Sequence, residues 1–439
     1  MNYDKNEAVF YNKVQVFNRD LSIQVIRLFA QIRENERRER YEAKMSKFRQ
    51  NPSTFEREPF APIDGITVLD ALAATGLRSV RYLKEIPGVR HVTINDLDEK
   101  AVKQALDNCH QNNVDDSRVS IHHGDAILYM HQKKVDPLEH FDVIDLDPYG
   151  TASPFLDSAV QCVADGGLLC VTCTDMPTLA GNYPEVCFAK YGCIPLKAKY
   201  VHEMSLRILL HAIDAAANKH KRYIVPWLSL SVDFYVRVFV RVYESPAEVK
   251  KSAQRRTMVY QSSQCPSFYL QPIAGDKSVP PSVKVPSQCP ETNGNFRLGG
   301  PYWSDPIHKQ SVIDELLRRV KHGEVGSADL PFPVSTKSRM VGILTSIAEE
   351  LKDVMFYYTI PSLSATLKCI TPTGAALRSA LTNAGYRSSQ FHRDPHAVKT
   401  DAPPQVVRLQ ISSAFLPCYL YPYIPVTLCR QHCILPHLL

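Results

Sequence analysis

A carboxylate, a carbonyl and an aromatic ring follow one another in the middle of this chain. Residues 141–146 are apolar enough for a buried strand, and Asp147-Pro148-Tyr149-Gly150 comes directly after them. The Asp147 carboxylate and the Pro148 carbonyl can each accept one hydrogen of an exocyclic amine, while Tyr149 stacks on the attached base. This arrangement aims the amine lone pair at an electrophile. The same residues also favour a plain β-turn, which the motif taken alone predicts first.

A loop of small residues follows the first predicted strand. Residues 70–76 contain Ala71, Ala73 and Ala74, so a ligand can approach the backbone at the start of the next helix. A dinucleotide fingerprint needs three glycines, and this loop has only Gly76, which disfavours a cofactor with a pyrophosphate. Arg78 could instead hold a carboxylate through two hydrogen bonds, as suits the amino-acid end of a cofactor.

Two more acids end predicted strands. Asp96 ends the second strand, where an acid usually binds a ribose diol, and Asp125-Ala126 follows the third, where a carboxylate can face an adenine amine. Each acid alone is more typical of a helix N-cap or a turn. Together, the small-residue loop, the ribose acid, the adenine acid and the acid-proline-aromatic motif are typical of an S-adenosylmethionine-dependent methyltransferase that modifies an amine.

The elements that position these residues alternate between strands and helices, which predicts a Rossmann-like α/β fold with a mostly parallel seven-stranded sheet. Strands are predicted at residues 66–70, 91–96, 119–122, 141–146, 168–172, 227–231 and 234–243. The last two should form an antiparallel hairpin at the sheet edge. Strict alternation in the final strand predicts one buried face and one partly polar face.

We expect four regions along the chain. Residues 1–64 form an N-terminal segment with a helix at 18–32 and a charged spacer, whose mixed charges indicate a solvated helix rather than a nucleic-acid patch. Residues 65–244 form the methyltransferase domain. Residues 245–404 form a smaller α+β domain, and residues 405–439 a disordered tail, because four prolines interrupt its apolar sequence.

Several longer motifs resemble one family closely, the tRNA guanine-26 N2-dimethyltransferases of archaea and eukaryotes, and the resemblance runs from Val9 to about Pro403. The matching segments are residues 9–12, 17–21, 74–79, 95–96, 141–150, 170–176, 233–238, 299–303 and 399–403. The resemblance implies a class I methyltransferase that uses S-adenosylmethionine and methylates the guanine N2 amine once and then again. It also implies that residues 245–404 bind tRNA.

The resemblance also assigns residues. It implies that Asp147, Pro148 and Tyr149 hold the guanine amine. It implies that five residues contact the cofactor: Arg19, Arg78, Asp96, Asp125 and Ala126. Arg19 would not be predicted from the residues alone, since it lies in an ordinary helix about 50 residues before the first strand. There a surface arginine is the default expectation.

Composition limits the class of protein. The chain has 439 residues, a net charge of +6 and a pI near 8.6, which permits a polyanionic partner without requiring one. Its 12 cysteines follow no disulfide framework and indicate a reducing compartment. From the sequence we expect no signal peptide, transit peptide or membrane-spanning run. We expect a monomeric intracellular protein, in the nucleus first, with the mitochondrion or cytoplasm as alternatives.

Two departures from the family stand out. Many eukaryotic members carry two C-x-x-C pairs suited to zinc, but here Cys265 and Cys289 each stand alone, so we expect no zinc. After residue 403 the family's sequence pattern is replaced by the apolar tail. A shortened C-terminal domain could impair RNA binding while the methyltransferase domain stays whole.

Other functions stay open at this point. An acid-proline-aromatic motif would also serve an adenine or cytosine amine in DNA, or a different guanine in tRNA. A non-catalytic RNA-binding module with the same fold is the alternative outside enzymes. Four basic clusters could meet RNA phosphates or simply be solvated: residues 219–222, 250–251, 255–256 and 318–321.

Overall fold

The structure is a computed structural model, and it describes residues 15–51, 61, 64–275, 281–283, 285–323 and 334–415. Its large sheet has seven strands: β1 (Ile66–Asp70), β2 (Val89–Asp96), β3 (Val119–His123), β4 (Phe141–Leu146), β5 (Val163–Cys173), β6 (Arg222–Val232) and β7 (Tyr235–Glu244). Their order is β3-β2-β1-β4-β5-β7-β6. The first five strands are parallel and β7 is antiparallel to both neighbours. The predicted mostly parallel seven-stranded sheet is confirmed.

Helices surround this sheet: α1 (Val16–Gln50), α2 (Leu77–Glu85), α3 (Glu99–Gln111), α4 (Ala126–Lys133), α5 (Leu156–Cys162), α6 (Met176–Leu179), α7 (Pro184–Tyr191) and α8 (Val201–Lys219). No helix among the residues placed by the structure is long and apolar enough to cross a membrane. The strand order reverses direction between β1 and β4, and ligands of open α/β sheets bind in the crevice at such a point.

Two small antiparallel sheets follow in the C-terminal region. Their strands are β8 (Arg256–Ser262), β9 (Phe268–Pro272), β10 (Phe296–Trp303), β11 (Tyr358–Thr359), β12 (Ser388–Phe391) and β13 (Asp394–Thr400). Their orders are β10-β8-β9 and β11-β13-β12. The helices are α9 (Pro246–Val249), α10 (Gln310–His322), α11 (Lys337–Glu349), α12 (Ile360–Leu367), α13 (Gly374–Asn383) and α14 (Pro404–Phe415). The predicted additional α+β region is confirmed.

The tail differs in part from our expectation. We predicted disorder from residue 405, but Pro404–Phe415 is helical, and Val407 and Ile411 are buried in a cluster with Leu377 and Leu381. These apolar residues recur at helical spacing, so they can cover one side of that cluster. The rest of the tail lies outside the described residues.

The last strand of the large sheet corrects a second expectation. The β6–β7 hairpin lies at the sheet edge as predicted, but β7 is buried on both faces along most of its length. Arg237 and Arg241 alternate with the valines of this strand and so lie on the face predicted to be partly polar, yet both are buried. Both can be buried because acids pair with them: Asp145 binds Arg237 and Glu36 binds Arg241.

Helix α1 continues through the charged spacer, which is helical as predicted, and most of residues 38–50 are exposed. Its first half is buried against the sheet and against α10 and α11. Further along, Arg33 Nε and Arg37 Nη2 donate to Asp142 Oδ1 at 3.1 and 2.6 Å. The other carboxylate oxygen accepts the Thr67 amide at 3.1 Å. This part of the spacer is therefore anchored to β4 and β1 rather than solvated.

Removing the Asp142 charge should loosen this anchor. In Asp142→Asn two guanidinium groups lose their shared carboxylate, and we expect a loss of about 3 kcal/mol in the free energy of unfolding. Urea denaturation measures it. Glu34→Gln, which breaks the exposed Arg38–Glu34 pair on the same helix, should cost less than about 1 kcal/mol. Equal losses in the two variants would contradict the anchoring role.

A buried acid ends β1. The Asp70 side chain is 1% exposed and accepts the Ser79 hydroxyl at 2.7 Å. Burial, followed by the neighbouring Asp145 charge, raises the pKa of Asp70 to about 7 from its ordinary 3.8. Because the unfolded chain loses this proton first as pH rises, Asp70 makes the folded state progressively less stable between those two pKa values.

Asp70→Asn should remove that pH dependence. The amide keeps the shape of the protonated acid and cannot ionise. The free energy of unfolding of the variant, minus that of wild type, should rise by about 2 to 3 kcal/mol between pH 5 and pH 8. The rise is about 1.4 kcal/mol per pH unit up to the pKa of Asp70 in the folded protein. Urea denaturation at both pH values measures the difference. A constant difference across this range would show that Asp70 is ionised in the folded protein throughout.

Candidate active site

A cleft of about 640 Å³ opens at the carboxyl edge of the large sheet. Seventeen residues line it: Gln15, Arg19, Asp70, Leu72, Ala73, Ala74, Thr75, Leu77, Arg78, Asp96, Asp147, Pro148, Tyr149, Thr151, Phe155, Thr174 and Phe234. Six of the eight residues predicted for the site are among them. Asp125 and Ala126 are not.

The loop after β1 forms the floor of this cleft. Gly76 adopts φ +69°, and a Cβ there would lie 2.8 Å from the Cβ of Ala105 on α3. Glycine is therefore needed both for the backbone conformation and for the close approach of α3. Asp96 holds the opposite side of the loop, because its Oδ2 accepts the Ala74 amide at 2.8 Å. Its Oδ1 accepts the Asp98 amide at 3.0 Å.

The start of α1 brings Arg19 to this cleft. Asp20 pairs with Arg81 of α2 at 2.9 Å and also accepts the Thr336 hydroxyl at 2.8 Å. Phe17 and Leu21 are buried in the core on the same stretch of helix. These contacts fix the first turns of α1, and Arg19 then lies in the cleft lining. Sequence patterns give no signal for this position, because the contacts join residues far apart in the chain.

Asp147 lies next to Arg78. The Arg78 Nη2 and Asp147 Oδ2 form an ion pair, and Arg78 Nη1 lies 3.7 Å from Asp145 Oδ2. Burial alone would raise the pKa of Asp147, but the charges of Arg78 and Arg237 and a Thr172 hydrogen bond outweigh it and lower this pKa. Asp147 is therefore a carboxylate at neutral pH. It can accept hydrogen bonds but is a weak base.

A second ion pair, between Arg237 and Asp145, lies next to the pair of Arg78 and Asp147. Arg237 Nη2 donates to both oxygens of Asp145 at 3.0 and 3.1 Å, and both side chains are fully buried. Arg237 Nη1 donates to Thr172 at 2.6 Å, and Tyr82 donates to Asp145. The sequence showed Asp145 only as part of the strand before the motif. Its partner Arg237 lies 92 residues away in the chain, so no local pattern could have revealed it.

The rest of the motif faces outward. Tyr149 is 84% exposed at the rim of the cleft, so its ring is free to stack on a base. Gly150 adopts φ +86°, donates its amide to the Thr174 hydroxyl at 2.8 Å and accepts the Thr174 amide at 2.9 Å. These two bonds hold the bend to the end of β5 and fix where Pro148 and Tyr149 lie.

Asp125 lies beside the cleft and outside its lining. Its carboxylate caps α4 by accepting the Ile127 amide at 2.7 Å. This N-cap role is the one that an acid at this position more typically has. Ala126 is buried beneath it. Their contact with an adenine stays a prediction. Sequence reasoning did not assign Phe234 to the site, because we placed it inside the last strand; it stands in the β6–β7 turn, 44% exposed.

Two groups of described side chains could offer three metal ligands each within 4.8 Å: Cys265, Cys289 and Glu291, and His308, Glu350 and His392. In the first group the sulfurs are 3.6 Å apart and Cys289 donates to Glu291 at 2.9 Å. In the second, both histidines accept backbone amides, from Ser229 and Ser231. The absence of zinc stays a prediction, for elemental analysis to check.

Comparison with known proteins gives consistent matches. A family model described as N2,N2-dimethylguanosine tRNA methyltransferase matches residues 1–411. The chain is 42% identical over 426 residues to the tRNA (guanine(26)-N(2))-dimethyltransferase of Drosophila melanogaster, covering 91% of this chain and 72% of that protein. It is also 42% identical to the Homo sapiens protein of that name, covering 90% of this chain but 64% of the human one, less than two thirds.

A solved structure shares the fold over nearly the whole length. The Trm1 protein of Pyrococcus horikoshii, solved with S-adenosyl-L-methionine, superposes with a TM-score of 0.71 at 25% identity and covers 93% of this chain and 95% of its own. The fold is that of a class I S-adenosylmethionine-dependent methyltransferase. The chain belongs to the N2,N2-dimethylguanosine tRNA methyltransferase family, as its motifs predicted.

Proposed function

We propose that this protein transfers methyl groups from S-adenosylmethionine to the exocyclic N2 of a guanine in tRNA, at position 26, giving N2-methylguanine and then N2,N2-dimethylguanine. The observation that carries the proposal is the single cleft that joins Asp96, Arg19 and Arg78 to Asp147-Pro148-Tyr149. One set suits the cofactor and the other suits a base amine. The names of the relatives support the choice of tRNA guanine 26.

The donor groups of the cleft fit S-adenosylmethionine. Asp96 keeps acceptor capacity for the two hydroxyls of a ribose, although both its oxygens already accept backbone amides. Arg19 and Arg78 both line the cleft and can contact a carboxylate, although Arg78 already pairs with Asp147. The loop has no second or third glycine for a pyrophosphate. When bound, the cofactor supplies a methyl group on a positively charged sulfur, which leaves as a neutral thioether.

Asp147 and the Pro148 carbonyl position the amine. Each accepts one hydrogen of the guanine N2 group, so the nitrogen lone pair points away from both. Arg78 and Arg237 keep Asp147 ionised. The N2 proton passes to Asp147 or to water once the new N–C bond has made the nitrogen cationic, and a weak base suffices for that step. After one transfer a single N–H remains, and one acceptor is enough for the second.

Tyr149 stacks on the guanine in this proposal. A base inside a helix cannot reach the cleft, so the nucleotide turns out of its stack, and an exposed ring at the rim replaces part of the lost stacking. We propose that the protein acts as a monomer. We propose the nucleus as its compartment, with the mitochondrion and the cytoplasm as the alternatives.

The reaction is tested with labelled S-adenosylmethionine and tRNA transcripts. We expect label in transcripts with guanine at position 26 and none when adenine replaces it. Asp147→Asn should reduce kcat by at least about 100-fold, because the amide places a donor where the substrate amine needs an acceptor. Cofactor affinity, measured by calorimetry, should not fall.

The matched control is Asp157→Asn, which removes a half-exposed carboxylate of α5 that lies outside the cleft. It should methylate like wild type. Wild-type turnover by Asp147→Asn would remove Asp147 from the catalytic step. Label in the adenine transcript would favour a different base amine.

The ribose role of Asp96 has its own test. Asp96→Asn should weaken S-adenosylmethionine binding by roughly 10- to 100-fold, because hydrogen bonds to a charged acceptor contribute about 1.5 to 3 kcal/mol. Calorimetry of the tRNA-free protein measures the affinity. Asp98→Asn, which alters the neighbouring N-cap of α3, serves as the control and should bind normally. An unchanged affinity in Asp96→Asn would contradict the ribose contact.

A further inference from the structure

A second cleft, of about 570 Å³, lies between the methyltransferase sheet region and the C-terminal region; we call it the basic cleft. Three stretches of chain form it. These are residues 196–201 before and at the start of α8, residues 261–266 at the end of β8, and residues 357–366 around α12. Arg297 of β10 and Ala180 after α6 complete its lining.

The charge of this lining has one sign. It contains Lys197, Lys199 and Arg297, all exposed, and no aspartate or glutamate. None of the three cations makes an ion pair or hydrogen bond with any residue that the structure describes. The side chains of Ser263 and Gln264 are exposed on the same lining and offer further hydrogen-bond donors. An anion is the ligand that such a lining favours.

The arginines of the basic clusters seen in the sequence behave differently. Arg222 is buried and donates to the Val160 and Val163 carbonyls. Arg255 pairs with Glu248. Arg256 pairs with Asp214, and Arg318 and Arg319 share the one carboxylate of Glu315. These arginines have partners within the fold. The exposed Lys219, Lys221 and Lys321 of the same clusters have no side-chain partner among the described residues, but they line neither cleft, whereas the three cations of the basic cleft share one lining.

The basic cleft lies close to the active site along the chain. Thr174 lines the active-site cleft and Ala180 lines the basic cleft, with the short helix α6 between them. Six residues span at most about 20 Å, and less when four are helical. Gly181 then packs on the backbone of Leu196 and Lys197, since a Cβ there would lie 3.2 Å from the Leu196 carbonyl carbon.

Backbone bonds also tie Arg297 to this place. Ile194 and Gly300 exchange two hydrogen bonds of 2.9 Å, which fixes residues 194–199 alongside β10. Leu196 packs against Gly299, where a Cβ would lie 2.5 Å from its side chain. The backbone segments that carry Lys197, Lys199 and Arg297 are therefore held next to one another.

We propose that the basic cleft binds phosphates of the tRNA backbone within a few nucleotides of the guanine that enters the active site. This inference rests on the proposed function. The aromatic residues of the lining, Tyr200, Tyr357 and Tyr358, are buried, so their rings cannot stack on bases. The contact therefore positions the RNA without selecting sequence, as phosphate contacts do.

The test reverses the three charges in the full chain, as Lys197→Glu/Lys199→Glu/Arg297→Glu. We expect tRNA affinity to fall by roughly 10- to 100-fold and the slope of log affinity against log salt to become shallower by about three. Affinity is measured by a gel-shift titration without cofactor. At saturating tRNA, kcat should stay near wild type while KM rises, because the three residues do not touch the reacting atoms.

The matched control is Lys44→Glu/Arg90→Glu/Lys103→Glu, which makes the same charge change at exposed positions that line neither cleft. It should lose less than about threefold in affinity at 0.15 M salt, where distant charges are screened. Equal losses in the two triple variants, or no loss in the first, would overturn the proposal. Lys197→Gln/Lys199→Gln/Arg297→Gln repeats the measurement without added acids should the reversal impair folding.

The same measurements distinguish a failure of the basic-cleft proposal from a failure of the proposed reaction. Absence of methyl transfer by the wild-type protein would contradict the proposed reaction, while the tRNA affinities of the variants would still test the basic cleft. Methyl transfer by wild type with identical tRNA affinity and identical salt slopes in all variants would strike only the basic cleft.

Discussion

The buried pairing of Arg237 with Asp145 is the constraint on which the active site depends. Both side chains are fully buried, so neither charge could stay there without the other. Arg237 also binds Thr172 and Tyr82 binds Asp145, which joins β4, β5, β7 and α2 under the cleft. The pair sets the electrostatic environment in which Arg78 and Asp147 meet. A motif that would otherwise be a surface bend thereby gains a carboxylate with a lowered pKa and a fixed position.

Ion pairs with buried members also hold the opposite end of strand β4. Asp142, in the same strand as Asp145, binds Arg33 and Arg37 of α1, and Glu36 of α1 binds Arg241 of β7. Buried ion pairs contribute little net stability compared with apolar packing, but a lone buried charge is costly, so they enforce one arrangement. In this protein that arrangement is the alignment of a 35-residue helix, whose opposite end carries Arg19 into the cleft.

Much of the fold followed from local patterns. The strands at 66–70 and 141–146 have the predicted bounds, and the others differ at their ends, where hydrogen bonding with neighbours rather than composition decides. The site motifs were visible because parallel strands place their carboxyl ends at one edge, so Asp70, Asp96 and Asp147 had to be neighbours. Arg237 and Arg241 were misjudged because alternation of charged residues in a strand normally marks a solvated face. Their acids come from distant parts of the chain.

The sequence by itself determined the succession of strands and helices along the chain. It also determined the loop with too few glycines for a pyrophosphate and the acid-proline-aromatic motif. All of these depend on neighbouring residues. Only the tertiary structure decided which cations are free. Arg222, Arg255, Arg256, Arg318 and Arg319 are bound within the fold, while Lys197, Lys199 and Arg297, unremarkable in the sequence, share one cleft. The reason is physical: an ion pair within the fold offsets the charge that a cation offers to a ligand, and ion-pair partners are set by proximity in space rather than along the chain.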